Sequence, residues 1–137
     1  MGTKRSVLTD GRGVPLSVVV SGANTHDIRL LGPTLDQVQT EVPKVRQNLC
    51  LDAGYVGRQQ EVIEHDMTPH IRPRKDEKRG GRGRKKPRRW VVERVFSWLN
   101  QFRKIKTRYE KLTVTHMGLL SLCCAMIVWR QVIIIYG

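Results

Sequence analysis

Acidic residues are scarce in this chain: 12 Asp/Glu stand against 25 Lys/Arg in 137 residues, a net charge of +13. Cysteine is scarcer still. Cys50, Cys123 and Cys124 are odd in number, lie in apolar runs and lack Cys-x-x-Cys spacing. They assemble no zinc set and read as buried thiols acting as small hydrophobes in a reducing compartment. No secretory leader is expected, because Met1-Gly2-Thr3-Lys4-Arg5 enters a short alternating segment and not an apolar helix. The apolar run Met117–Trp129 covers thirteen residues before Arg130, which suits a core helix better than a membrane span. No internal repeat and no helix-turn-helix is visible. These absences predict a cytoplasmic protein with no membrane partner. The 39% of hydrophobic residues suffices for one domain with a real core.

The positive charge is concentrated. Residues 1–71 carry seven Lys/Arg and eight Asp/Glu. Residues 72–89 carry eleven Lys/Arg and two Asp/Glu, and residues 103–111 carry five Lys/Arg and one Glu. Two basic segments therefore flank a single acid, Glu93. That is the electrostatic footprint of a polyanion-binding surface; the plainer alternative is a solubilising charged loop.

Patterning gives the elements. Arg5–Thr9 and Pro15–Ser21 read as strands of a hairpin closed by Asp10-Gly11-Arg12-Gly13, so Asp10 is a turn residue. Val18-Val19-Val20 suggests a strand covered on both faces. Asp27 is a candidate N-cap for a helix running to about Val38, split by Gly32-Pro33. A strand within Val45–Asp52 is followed by a turn at Gly54–Gly57, a helix at Arg58–His65 and a weak strand at Thr68–Ile71. Residues 72–87 have no hydrophobic period and read as a flexible basic loop. A helix from Arg88 to Arg108 would bury Val92, Val95, Phe96 and Leu99 and place Arg89, Glu93, Ser97, Asn100 and Lys104 on a polar stripe. A last apolar helix covers His116–Gln131, and Val132–Tyr136 has strand propensity. Alternating strands and helices predict an α/β layer structure.

Thr9-Asp10-Gly11-Arg12-Gly13-Val14-Pro15-Leu16-Ser17-Val18-Val19, Ser21–Asp27, Leu51-Asp52-Ala53-Gly54-Tyr55, Trp90-Val91-Val92-Glu93-Arg94 and Arg103–Lys111 together resemble, in order and spacing, the DDE-type transposases of bacterial insertion sequences. The resemblance implies a ribonuclease H-like mixed sheet with flanking helices. It also implies that Asp52 is the second catalytic aspartate and Glu93 the catalytic glutamate, both ligands of a two-ion Mg²⁺ site. The family signature Tyr-x2-Arg-x3-Glu-x6-Lys falls here on Lys86, Arg89, Glu93 and Asn100, so only the Arg and Glu match; Lys104, one turn further along the stripe, is the candidate replacement for the lysine. No residue maps onto the first catalytic aspartate, which the family carries on a strand corresponding to a position before Met1. The expectation is an incomplete domain lacking that central strand, with two unpaired backbone edges. It would be a fragment, a part working with an N-terminal transposase segment that supplies the aspartate, or a decayed element.

The implied chemistry is metal-dependent cleavage and transfer of DNA strands, an in-line displacement assisted by two ions. Magnesium prefers hard oxygen ligands, which carboxylates supply. Arg82, Arg84, Lys85, Lys86, Arg88 and Arg89, with Arg103, Lys104, Lys106 and Arg108, would contact phosphates at the element's ends and the target; such contacts carry affinity more than sequence information. Trp90 could stack on a base, whereas Trp98 suits the core. A homo-oligomer is expected. The structural alternatives are that Asp52 caps the turn after its strand and that Glu93 pairs with Arg89 one helical turn away. Rival functions are a non-catalytic basic nucleic-acid-binding domain and a metal nuclease of the same fold.

Overall fold

The structure, a computed structural model, describes residues 2–38, 40–41, 44–71 and 89–137, with the backbone alone at residue 89. The expected basic loop 72–87 and the expected helix start at Arg88 lie outside the described residues.

Strands β1 (Thr3–Thr9) and β2 (Pro15–Gly22) form an antiparallel hairpin in which Val7 faces Val18 and Leu8 faces Ser17. The turn works as its sequence suggests. Asp10 Oδ1 accepts hydrogen bonds from the Arg12 and Val14 amides at 2.9 and 2.8 Å. Gly13 holds φ +90°, a conformation that a side chain would disfavour. Of the valine run, only Val18 is fully buried, so β2 is covered less completely than its composition suggests.

Strands β3 (Gln47–Leu51) and β4 (Met67–Ile71) pair in parallel. Helix α2 (Gln59–Glu64) makes the crossover that a parallel pair requires. Among the described residues the four strands form two separate two-stranded sheets. The molecule is α/β, as expected.

The hairpin lies between two cores. On one side Val18, with Val7 and Val20 at its edge, packs with Val95, Leu99, Ile105, Leu120 and Ile127. On the other, Leu8 packs with Leu31, Leu35, Leu49 and Val62. Neighbouring residues Val7 and Leu8 thus serve opposite cores, as the two-residue period of a strand dictates. Helix α1 (Leu31–Asp36) is fixed to the hairpin by hydroxyls: Thr34 donates to Ser6 Oγ at 2.8 Å, and Ser17 donates to the Thr34 carbonyl at 2.6 Å.

Several expectations are corrected. The segment after His26 is a 3-10 turn (Asp27–Leu30) leading into α1, and the residue at its N-cap position is His26. Asp27 instead pairs with Lys4 at 3.1 Å. Pro33 sits in the first turn of α1, where its missing N–H leaves no carbonyl without a partner. The predicted 88–108 helix is two pieces, α3 (Arg89–Gln101) and α4 (Arg103–Lys106), because Phe102 adopts extended backbone (ψ 109°) between them. Its ring packs against the first core. The buried face of α3 is Val91, Val95 and Leu99, spaced four apart, while Val92 is exposed and Phe96 half-buried. The last helix, α5, spans Thr113–Tyr136. Val132–Tyr136 therefore continues a helix. The helix is longer than expected; one face enters the first core through Leu120, Cys123, Cys124 and Ile127, while only 22% of its most apolar window is buried, and by length and composition alone it could cross a membrane.

Leu99 is completely buried at the centre of the first core. Leu99→Ala is expected to lower unfolding free energy by about 2–5 kcal/mol, read as a lowered urea midpoint with an unchanged slope.

Candidate metal and nucleic-acid site

Asp52 lies directly after β3 and caps the 3-10 turn Ala53–Tyr55, its Oδ1 accepting the Gly54 amide at 2.8 Å. The structural role foreseen for it is real. The side chain is nevertheless exposed, and one hydrogen bond leaves a carboxylate most of its lone pairs. Tyr55 is half-buried beside it. Burial pushes the phenol pKa up, and the negative charges of Asp27 and Asp52 push it further.

Glu93 is exposed on α3, on the side opposite the Val91–Val95–Leu99 face. Core packing therefore sets the direction of its carboxylate. Nothing is described for the Arg89 side chain, so its pairing with Glu93 lies outside the described residues. Arg82, Arg84, Lys85, Lys86 and Arg88 lie outside them too.

The elements bearing Asp52 and Glu93 pack in different cores. The strand leading to Asp52 contributes Leu49 to the second core, whereas the helix bearing Glu93 contributes Val95 and Leu99 to the first. Among the described residues no group of three or more His, Cys, Asp or Glu is positioned to hold a metal ion.

The remaining basic residues divide by environment. Arg103, Lys104 and Lys106 are exposed on α4. The break at Phe102 interrupts the α3 periodicity, so Lys104 does not continue the Glu93 stripe. Arg108 is half-buried with its donors turned to the protein: Nη1 donates to Thr3 Oγ1 at 2.7 Å, Nε to the Glu110 carbonyl at 2.9 Å, and Nη2 to the Lys111 carbonyl and Thr113 Oγ1 at 3.4 and 3.3 Å. It ties the first strand to the start of α5.

Two arginines escaped the sequence reading. Arg5 of β1 reaches α3, donating to Asn100 Oδ1 at 3.1 Å with its guanidinium 5.7 Å from the Phe96 ring. Among the described residues its buried Nη1 has no hydrogen-bond partner, and burial lowers its pKa. Phe96 and Asn100 lie three and seven residues after Glu93, so Arg5 adds positive charge along the same helix side. Arg94 lies over Trp90 at 4.4 Å and near Trp98 at 5.9 Å, a cation–π contact that occupies the ring nominated for base stacking. Trp98 packs against the first core, as expected. The i+4 spacing of Trp90, Arg94 and Trp98 was a readable signal; the Arg5–Asn100 contact, 95 residues apart, had none.

The family model described as "Transposase DDE domain" matches residues 1–128. A protein named as a transposase for insertion sequence element IS402, from Burkholderia cepacia, is 32% identical over 140 residues, covering 94% of this chain and 64% of the relative. The chain thus spans less than two thirds of that relative's length. No solved structure matches.

Two predictions concern the Arg108 junction. Arg108→Lys cannot reproduce a forked donor set and is expected to cost about 1–3 kcal/mol of stability, read by urea denaturation. Glu110 is largely covered, its Oε2 3.5 Å from His116 Nδ1. A hydrogen bond from its own backbone N–H holds its carboxyl pKa below the ordinary 4.5; burial opposes that, and His116 adds to it. A depressed carboxylate stabilises the fold above its unfolded pKa, and that stabilisation fades as pH falls through the folded value. Glu110→Gln should therefore flatten the acid limb of the urea-midpoint profile below the ordinary carboxylate pKa; an unchanged limb would assign it to other acids.

Proposed function

Because this chain belongs to the transposase DDE domain family, we propose that it is the catalytic part of an insertion-sequence transposase that cuts and joins DNA strands. Asp52 and Glu93 are the metal ligands in this reading, with two Mg²⁺ ions in the complete site. Their hard oxygen donors suit Mg²⁺, and both carboxylates are open to solvent. When bound, the metal would polarise the phosphoryl oxygens and activate the attacking one. Two carboxylates are one fewer than the family's three, so little or no turnover is expected from these residues by themselves.

The single observation that carries the proposal is the arrangement of strands and acids. An antiparallel hairpin and a parallel βαβ pair are separate, and one exposed carboxylate follows β3 while the other rides α3. This supports reading the two sheets as parts of a ribonuclease H-like sheet lacking the strand that would join β1 to β3. We accordingly attribute the first aspartate to a transposase segment outside these 137 residues, and the working form to a homo-oligomer in the cytoplasm.

DNA would lie over the basic segments: Arg82, Arg84, Lys85, Lys86, Arg88 and Arg89, continued by Arg103, Lys104 and Lys106. Arg108 is withdrawn from that set because its donors are engaged within the protein. Phosphate contacts predict binding that weakens steeply with salt, by about 0.9 log units per log unit of salt for each neutralised phosphate on duplex DNA.

In a complete transposase carrying this chain, Asp52→Asn and Glu93→Gln should each abolish strand cleavage. Binding of end-containing DNA, measured by fluorescence anisotropy at the same salt, should be retained or tightened. Variants that cleave like the parent would leave the basic, non-catalytic nucleic-acid-binding domain as the surviving reading. Cut ends released and never joined would favour the metal nuclease.

A further inference from the structure

A cleft of about 520 Å³ opens where two loops meet, and the reading of Asp52 and Glu93 leaves it without a role. Asn24, Thr25, His26, Ile28 and Arg29 line it from one loop and Arg58 from the other. The first loop leaves β2 and enters the 3-10 turn Asp27–Leu30. The second leaves Asp52 through two consecutive turns: the Tyr55 amide donates to the Asp52 carbonyl at 3.2 Å, and the Arg58 amide to the Tyr55 carbonyl at 3.1 Å. Within the second turn Gly57 holds φ +93°, a conformation that lets the chain reverse and bring Arg58 back toward the first loop. The turn Asp27–Leu30 packs against Ala53–Tyr55, and the Tyr55 phenol feels the charges of both Asp27 and Asp52. The cleft and the Asp52 carboxylate therefore share one neighbourhood.

We infer that this cleft holds a backbone phosphate of the DNA strand that passes Asp52, with Arg29, Arg58 and His26 as its donors. The charge distribution selects that ligand. Residues 1–71 are near neutral, yet three of their seven Lys/Arg, namely Lys4, Arg29 and Arg58, gather at this pair of loops. The adjacent acid Asp27 is already held by Lys4 at 3.1 Å, and Lys4 also donates to the Thr25 carbonyl at 2.9 Å, which fixes the first loop. Arg58 meets Glu61 only at 3.7 Å. Among the described residues no carboxylate pairs with Arg29. Two guanidiniums with forked donors to spare suit the oxygens of a phosphate. The volume falls within the range of ligand pockets, about 300–1,000 Å³, and admits a phosphate with its sugar. Asn24, His26, Arg29 and Arg58 are exposed, so a strand can enter and leave without the fold opening. DNA thus gains a contact in the near-neutral part of the chain, apart from the basic segments. The inference rests on the reading of Asp52 given above.

Fluorescence anisotropy of the full chain with a labelled DNA duplex, titrated with KCl, tests it. Arg29→Gln combined with Arg58→Gln should weaken binding about tenfold. The same pair should lower the salt slope by about 0.9, the share of one neutralised phosphate, which a purely structural role of the two arginines would leave unmoved. Both side chains are exposed, so circular dichroism should match the parent. Lys44→Gln removes an exposed charge at the opposite end of β3 from Asp52 and should leave affinity and slope as they were. A double variant that binds like the parent overturns the inference. So does a loss that Lys44→Gln reproduces, since any lost charge would then count alike. Inorganic phosphate is the second probe, followed by isothermal titration calorimetry. Phosphate bound by the parent and lost in the double variant, with the DNA slope unchanged, would give the cleft to a free phosphate compound and overturn the DNA assignment. The two readings fail separately. An unchanged slope, with cleavage by a complete transposase lost in Asp52→Asn, removes the cleft alone. A lowered slope, with Asp52→Asn still cleaving, removes the metal ligand and keeps the cleft as a DNA site.

Discussion

Everything in this molecule hangs on the β1–β2 hairpin having two apolar faces. A two-residue period sends Val7 toward α3 and α5 and Leu8 toward α1 and β3. A register slip of one residue would exchange them and leave both cores mismatched. The register is held at the turn by Asp10 and Gly13, and in the strands by Ser6 and Ser17 through Thr34. Ser17 is satisfied by the Thr34 carbonyl and Ser6 by the Thr34 hydroxyl, so the hairpin accepts a helix on a face that is not wholly apolar with these polar groups paired.

Sequence reasoning succeeded where one local rule decided the outcome. The Asp-Gly hairpin, the strand before Asp52, the helix after Gly57 and the strand at residues 67–71 follow from turn chemistry and short-range pattern. It failed where tertiary contact decided. Nothing near Phe102 breaks a helix by propensity, yet its backbone opens where its ring meets the first core. Four β-branched residues among Val132–Tyr136 look like a strand, but a helix already nucleated at Thr113 extends through them at little propensity cost. The α3 face was misread by one position because Val91 and Val92 are chemically alike; only the hairpin beneath distinguishes them. Asp27 resembled a cap, but the Lys4 ammonium holds it instead.

The candidate site was legible as residue types and not as a constellation. Asp52 illustrates why. Its backbone role, capping the turn after a strand, needs one carboxylate oxygen, and metal binding needs others, so the two roles use different lone pairs of one side chain. Composition could locate the acid but not rank the roles. Glu93 gains its direction from the far side of its helix, where Val91, Val95 and Leu99 sit in the core. Replacing those valines or that leucine would therefore disturb the site without touching an acid.

Helix α3, which bears Glu93, shares one core with α5: Val95 and Leu99 of α3 pack in the same cluster as Leu120 and Ile127 of α5. The direction of the Glu93 carboxylate therefore rests on α5 as well as on the hairpin, although no residue of α5 lies on the Glu93 stripe. A substitution at Leu120 or Ile127 would reach Glu93 through that packing, from a helix that does not carry the acid itself. The solvent face of α3, with Arg5 and Asn100 toward its C-terminal side, is in this sense fixed entirely from behind, by residues that never meet solvent.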